Sequence, residues 1–224
     1  MHDAIWDAVD RYLAATVVGS DALLDEALRL SKEAGLPQIA VSPAQGKLLQ
    51  IIALATGARR ILEIGTLGGY STIWLGRALP PGGTLVTIEV EPAHAEVAWA
   101  NLERAGLTEV VHLRLGPALQ VLPQLEAEQA DPFDMVFIDA DKPSNPEYLS
   151  WAFRLTRPGS TIIVDNVVRD GSVLDESGTD AAVIGTRTML QTMGSDPRLS
   201  ATAIQTVGVK GYDGLAIAVV RGAP

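Results

Sequence analysis

From about residue 60 onward the chain alternates short apolar runs with segments of helical spacing, and that alternation leaves few folds open. The runs are Ile61–Ile64, Thr84–Glu89, Val110–Leu115, Met135–Ile138 and Thr161–Val164, and each of the first four is followed by a stretch that reads as helix. Strands separated by helices must run parallel, because each connection crosses a face of the sheet before the next strand begins. The pattern predicts an α/β fold with a doubly wound, mostly parallel sheet. It changes near the end. After a helix around Ala181–Met193, the strand-like runs Ala201–Val207 and Leu215–Val220 are separated only by GVKGYDG, too short for a crossover helix. They are expected to form an antiparallel hairpin, giving seven strands in one mixed sheet.

Helices precede the sheet. Ile5, Val9, Tyr12 and Leu13 follow helical spacing; Ser20 can cap a second helix with its stripe at Leu23, Leu24, Ala27, Leu28 and Leu30, ended by Gly35. A third runs from Pro43 through Leu48, Leu49 and Ile52 to Gly57. The 224 residues therefore read as one domain, with residues 1–57 a helical cap on an α/β core at 58–224. A formal net charge of −10 would repel a polyphosphate backbone, so nucleic acid is not an expected partner. The absence of cysteine excludes disulfides and thiolate chemistry and fits a reducing cytoplasm. An acidic start, MHDAIWDAVD, and no apolar stretch near the ~18 residues of a membrane span predict neither secretion nor insertion.

The first strand and its turn read RILEIGTLGGYST, and such a turn lets backbone approach a ligand. The dinucleotide fingerprint G-x-G-x-x-G fails at Leu67, which disfavours an NAD-type oxidoreductase. The phosphate-binding loop fails because Gly69-Tyr70-Ser71 lacks its lysine. An acid two residues before the first glycine, Glu63-x-Gly65, suits a cationic ligand without phosphate, and S-adenosylmethionine carries both a sulfonium and an ammonium. The turn could also serve only to join strand to helix. Glu89 closes the second strand about twenty residues on, where nucleotide folds hold ribose hydroxyls. Glu91 competes with it, but Pro92 places the next helix start just afterwards.

MVFIDADK and TIIVDN are both apolar strands ending in acid, and the carboxyl ends of parallel strands open on one crevice. Asp139, Asp165 and Asn166 would converge there as hard oxygen donors, a set suited to Mg²⁺, Mn²⁺ or Ca²⁺ rather than zinc. Exposed strand ends without a metal remain the plain alternative. Lys142 lies three residues past Asp139, and a nearby divalent cation would ease the loss of its proton. Asp141 reads as a surface or capping residue. His2, His94 and His112 show no ligand spacing and read as structural or solvated.

Together these motifs resemble the metal-dependent class I O-methyltransferases that include the catechol and caffeoyl-CoA O-methyltransferases, a Rossmann-like family. The resemblance runs from about Val41 to the C-terminus through VSPAQGKLLQ, LEIGTLGGYS, VTIEVEP, FDMVFIDADK, IIVDN and DGLAIA. It implies that Val41, Glu63, Gly65, Thr66 and Ser71 contact S-adenosylmethionine, that Glu89 holds its ribose, and that Asp139 lies near its methionine end. It also implies that Asp139, Asp165 and Asn166 ligate the metal and that Lys142 is the general base. Pro117 stands where many relatives carry an acid, which passes the adenine contact to backbone or to Ala118. Val207 stands where catechol-specific animal enzymes place a substrate-binding glutamate. The implied activity is methyl transfer to a hydroxyl of a metal-chelated vicinal-diol phenol by a homodimer. A donor-binding scaffold or sensor without turnover is the rival reading. Acceptor choice is expected from loops such as Val167–Gly178 and from the N-terminal helices; Arg169 in that loop reads first as a solvated arginine and second as a contact for an anionic acceptor.

Overall fold

The computed structural model describes residues 4–128 and 131–222, so His2 lies outside the described residues. Three helices come first: α1 (Ala4–Leu13), which runs on into a wider π-type turn over Ala14–Val18, α2 (Ala22–Glu33) and α3 (Pro43–Thr56). The sheet strands are β1 (Arg60–Ile64), β2 (Thr84–Glu89), β3 (Val111–Leu115), β4 (Phe133–Ile138), β5 (Thr156–Asp165), β6 (Leu199–Gly208) and β7 (Gly211–Val220). Helices α4 (Tyr70–Gly76), α5 (Pro92–Arg104), α6 (Ala118–Ala127) and α7 (Asn145–Leu155) follow β1 to β4 in turn, and α8 (Ala181–Ser195) joins β5 to β6. Strand order is β3-β2-β1-β4-β5-β7-β6. The first five strands are parallel, and β7 pairs antiparallel with both β5 and β6.

Two local expectations shift. Asp21, not Ser20, caps α2: its carboxylate accepts the N–H groups of Leu23 and Leu24 at 3.1 Å each and pairs with Arg77 at 2.5 Å. A carboxylate that answers two orphan helix donors and a guanidinium is a better cap than a hydroxyl one residue upstream. The hairpin strands also run further than predicted, meeting at Gly208 and Gly211 around a turn of only Val209 and Lys210. Main-chain pairing there needs no apolar alternation, so the sequence pattern fades before the ladder does. Helix α3 runs from Pro43 and is ended by Gly57, at φ 63°, as the sequence predicts; its cap, Ser42 accepting Gln45 N–H, is seen only in the structure.

Continuous apolar strands reflect a sheet covered on both faces. Leu62, Val86, Val136 and Ile162 pack against Leu122 of α6, Leu149 of α7 and Met189 of α8. Their neighbours Ile61, Leu85, Met135 and Phe137 face the other way, onto Leu24 of α2, Leu49 of α3, Ile73 of α4 and Leu102 of α5. Each such fully buried side chain contributes roughly 1.5–3 kcal/mol. This double cover holds the strand ends rigid, and function sits where those ends diverge. The chain order reverses between β1 and β4, the place where open α/β sheets leave a crevice.

At that crevice the two strand exits nearly touch. Asp139 N–H donates to the Ile64 carbonyl at 2.9 Å and Gly65 N–H to the Ile88 carbonyl at 3.0 Å. Gly65 has φ 99°, and a Cβ there would overlap the Asp139 carbonyl oxygen. Gly65→Ala is expected to cost at least about 1–3 kcal/mol through backbone strain alone, read as a lower urea midpoint. Gly194→Ala on α8, where a Cβ meets nothing within 4 Å, should leave that midpoint unchanged or slightly higher.

Candidate active site

A cavity of about 870 Å³ opens at the carboxyl ends of the parallel strands. Val41, Gly65, Thr66, Ser71, Glu89, Ala118, Asp139, Lys142 and Asn166 all line it, whereas Glu63 and Asp165 lie behind its wall. Most of the residues singled out in the sequence are thus gathered around one space.

Glu63 is fully buried on β1, in register with Thr87 of β2. Its carboxylate accepts hydroxyls from Ser71 at 2.6 Å, Thr72 at 2.5 Å and Thr87 at 2.7 Å. Burial nevertheless pushes its carboxyl up to about 7, against the three hydroxyls and with the help of the Asp139 charge. Glu63 therefore reaches the cavity through Ser71, which it orients and polarises, rather than by lining it.

Glu89 has a more demanding task than a strand end. One carboxylate oxygen accepts Thr66 N–H at 3.2 Å and Leu67 N–H at 2.7 Å; the other accepts Val90 and Glu91 N–H at 3.0 Å each. The glycine turn is thereby wrapped around an anion of the protein itself. Backbone N–H groups that cradle a phosphate in other glycine-rich loops are occupied here, which fits a donor without phosphate. Leu67 is held at φ 50°, and Asn101 of α5 anchors the same turn by donating to the Gly68 carbonyl at 2.9 Å. His94, read from sequence as structural or solvated, lines the cavity with Nδ1 3.5 Å from the Glu89 carboxylate. His112 faces solvent on β3.

The opposite end carries charge. Lys142, buried in a short 3₁₀ turn after β4, pairs with Asp139 at 2.9 Å. Asp141 accepts Ser144 Oγ at 2.5 Å and the Tyr148 hydroxyl, so it braces the turn that presents Lys142. Burial, then Asp141, pushes the Tyr148 phenol well above its ordinary value, keeping it a hydrogen-bond donor. Asp165 is buried behind Asn166, and burial followed by the Asp139 charge raises its carboxyl to about 7, with Lys142, Asn166 N–H and Gln45 opposing. Asn166 takes φ 57°, a left-handed geometry asparagine tolerates, which breaks strand alternation just past Asp165.

Among the described residues no three His, Cys, Asp or Glu side chains form a metal-holding group. The candidate set is instead two acids and a carboxamide, and its chemistry fits a hard divalent cation. Burial, and then the charge of Asp139, raises Asp165, and among the described residues the one ammonium within ion-pair distance is Lys142, on Asp139. Several wall residues gave no sequence signal: the Pro37–Ala40 loop, Tyr148 and Lys210 at the hairpin tip. Arg169 is not among the cavity's lining residues, and its buried Nε lacks a hydrogen-bond partner.

Comparisons with known proteins identify the family. Residues 15–219 match the family model described as O-methyltransferase. The chain is 52% identical over 221 residues to a catechol O-methyltransferase of Niastella koreensis, covering 99% of this chain and 100% of that protein. It is 55% identical over 213 residues to a catechol O-methyltransferase of Mycobacterium tuberculosis, covering 95% of each. An O-methyltransferase from Bacillus cereus solved with SAH superposes with TM-score 0.96 at 52% identity, over 97% of this chain and 99% of that one. One from Streptomyces achromogenes, solved with SAM, gives TM-score 0.95 at 49% identity, over 99% and 100%. With a turn that wraps an acid instead of a phosphate and a buried lysine beside acidic strand ends, this chain belongs to the O-methyltransferase family.

Proposed function

We propose that this chain transfers the methyl group of S-adenosylmethionine to one hydroxyl of a vicinal-diol aromatic molecule, with Mg²⁺, or Mn²⁺ or Ca²⁺, bound by Asp139, Asp165 and Asn166. The observation that carries the reading is Lys142, buried in the cavity wall and paired with Asp139 beside Asn166. The names of the relatives support the acceptor class, and the SAM- and SAH-bound neighbours support the donor. A divalent cation on these oxygens would supply Lewis acidity toward two adjacent acceptor oxygens and compete with Lys142 for the Asp139 carboxylate. Lys142 would first release a proton to solvent as its bond to Asp139 is given up, and its neutral Nζ then takes the acceptor's hydroxyl proton, leaving a phenolate and an ammonium. Ser71 and the turn at Gly65–Gly68 position the donor, Val41 and Ala118 enclose it, and the apolar walls exclude water. Glu89 shapes the ribose end while keeping its four N–H bonds.

Residues 1–57 serve as a cap on the core at 58–224 within one domain: Leu24 and Leu49 join the sheet's core, and Val41 reaches the cavity. Ile5, Val9, Tyr12, Leu13 and Val17 are exposed apolar side chains on the first helix and its π turn, a surface we assign to a homodimer interface. No helix among the described residues is long and apolar enough to cross a membrane, and a cytoplasmic site of action fits the cysteine-free composition.

Methyl transfer from labelled donor to catechol should require Mg²⁺ and stop in excess EDTA; robust transfer in EDTA would remove the metal from the reading. Lys142→Ala should lower kcat roughly 100-fold or more while donor affinity stays within about 3-fold, as expected when a general base is lost.

Glu63 yields a pH dependence. Its carboxyl stands near 4.5 unfolded and about 7 in the fold, so the folded protein holds the extra proton in between. Stability is full below pH 4.5 and declines as pH rises through 7, by about 3 kcal/mol from this group. Asp165, raised for similar reasons, adds in the same direction. Urea midpoints of the unliganded protein should fall between pH 4.5 and 7.5, and Glu63→Gln should flatten only its own share. S-adenosylmethionine, a cation, should recover more stability at pH 7.5 in the wild type than in Glu63→Gln.

A further inference from the structure

The proposed reaction leaves one cation in the cavity unused. Lys210 stands exposed at the cavity rim, one of two residues in the turn between β6 and β7. Its Nζ donates to the Gln38 carbonyl at 2.9 Å, across from the hairpin to the loop between α2 and α3. The backbone holds the turn there independently of the lysine. Val209 N–H donates to the Asp10 carboxylate of α1 at 3.0 Å, and Asp213, three residues past the turn, accepts the N–H groups of Val168 and Arg169 at 2.9 and 3.0 Å. The tip is therefore fixed both to the cap and to the loop that follows Asn166.

The Asp10 carboxylate at that tip is taken by the Val209 N–H, and Lys210 forms no ion pair among the described residues. Among the described residues no carboxylate lies within 4.0 Å of the Lys210 ammonium, whose hydrogen-bond acceptor is a neutral carbonyl. The negative charges it senses are Asp139 and Asp165, which counter the downward pull of burial on its amine. Lys142 already claims Asp139 at 2.9 Å. Whatever fills the acceptor end next to Asp139 and Asn166 thus meets a spare cation at its outer edge. Neutral ring substituents would leave that cation uncompensated, and an ammonium substituent would face it with like charge.

Resting on the proposed methyl transfer to a vicinal diol, we propose that Lys210 is a specificity residue that binds an anionic substituent, so that the acceptors are catechols bearing a carboxylate. The diol end faces Asp139, Lys142 and Asn166, while the carboxylate exchanges the Gln38 carbonyl for itself as the acceptor of Lys210 Nζ.

The test compares 3,4-dihydroxybenzoate, catechol and 4-(2-aminoethyl)catechol as acceptors for wild type, Lys210→Met, Lys210→Arg and Lys210→Glu. Lys210→Met should lower kcat/KM on the carboxylate at least about 10-fold more than on catechol, mainly through KM, the scale of one lost charge-assisted bond. Lys210→Arg should restore most of it, and Lys210→Glu should shift preference toward the aminoethyl compound. Dihydroxybenzoate binding to protein saturated with S-adenosylhomocysteine and Mg²⁺ is titrated in parallel, and it should weaken in Lys210→Met to a similar degree. Equal losses on the carboxylate and on catechol would overturn the proposal, because a strap between hairpin and loop acts on every acceptor alike. Absence of turnover with every acceptor would count against the methyl-transfer reading instead, and the binding titration would still decide whether Lys210 selects the carboxylate.

Discussion

Four backbone N–H groups converge on the Glu89 carboxylate, and the donor half of the site depends on that convergence. Two of them belong to the turn after β1 and two to the turn after β2, so one side chain fixes two strand exits against each other. Hydrogen bonds to a buried anion contribute more than neutral ones and tolerate little displacement. The left-handed Leu67 and the Asn101 tether then become consequences of shaping a chain around a carboxylate. An anion already seated in the turn leaves it attractive to cations and indifferent to phosphate. Glu63 beneath adds acidity of the same sign, restrained by burial until a cationic ligand arrives.

The acceptor half is governed by charge balance. Asp139 and Asp165 face one close ammonium, Lys142, and the carboxyl of Asp165 is forced upward by burial and by Asp139. Such an arrangement has an excess of acid that stays partly protonated until a further positive charge offsets it. A merely structural ion pair would show matched partners, as Asp21 and Arg77 do at α2. The mismatch here is the observation that favours the proposed site over a strand end that simply surfaces.

Much of this was legible in the sequence because it rests on periodicity. β2 begins and ends at Thr84 and Glu89 as read, since an apolar run bounded by Gly83 and Pro92 offers few other limits. The hairpin and the antiparallel β7 followed from a connection too short to cross the sheet. What escaped is what depends on atoms brought together from afar. Ser20 and Asp21 are both good caps in a string of letters, and only Arg77, 56 positions on, decides between them. Glu63 reads as a ligand contact until Thr72 and Thr87 are seen to enclose it. Lys210 sits in a short polar connection that sequence reading assigns only a turning role, yet its turn lies at the cavity rim.

The two halves also differ in what can vary. The donor contacts proposed above lie at strand exits backed by the core on both faces, where a change in Gly65 disturbs β1 and β4 together. The rim of the acceptor half is built from the Pro37–Ala40 loop and the β6–β7 turn, attached through a few polar bonds from Asp10, Gln38 and Asp213. Substitution at such a rim perturbs neither the sheet nor the buried acids. A family can therefore hold its donor chemistry constant while acceptor preference drifts with a few exposed side chains. In this chain the hairpin tip places a cation at that rim, and a rim cation discriminates among ring substituents without touching the hydroxyl that reacts.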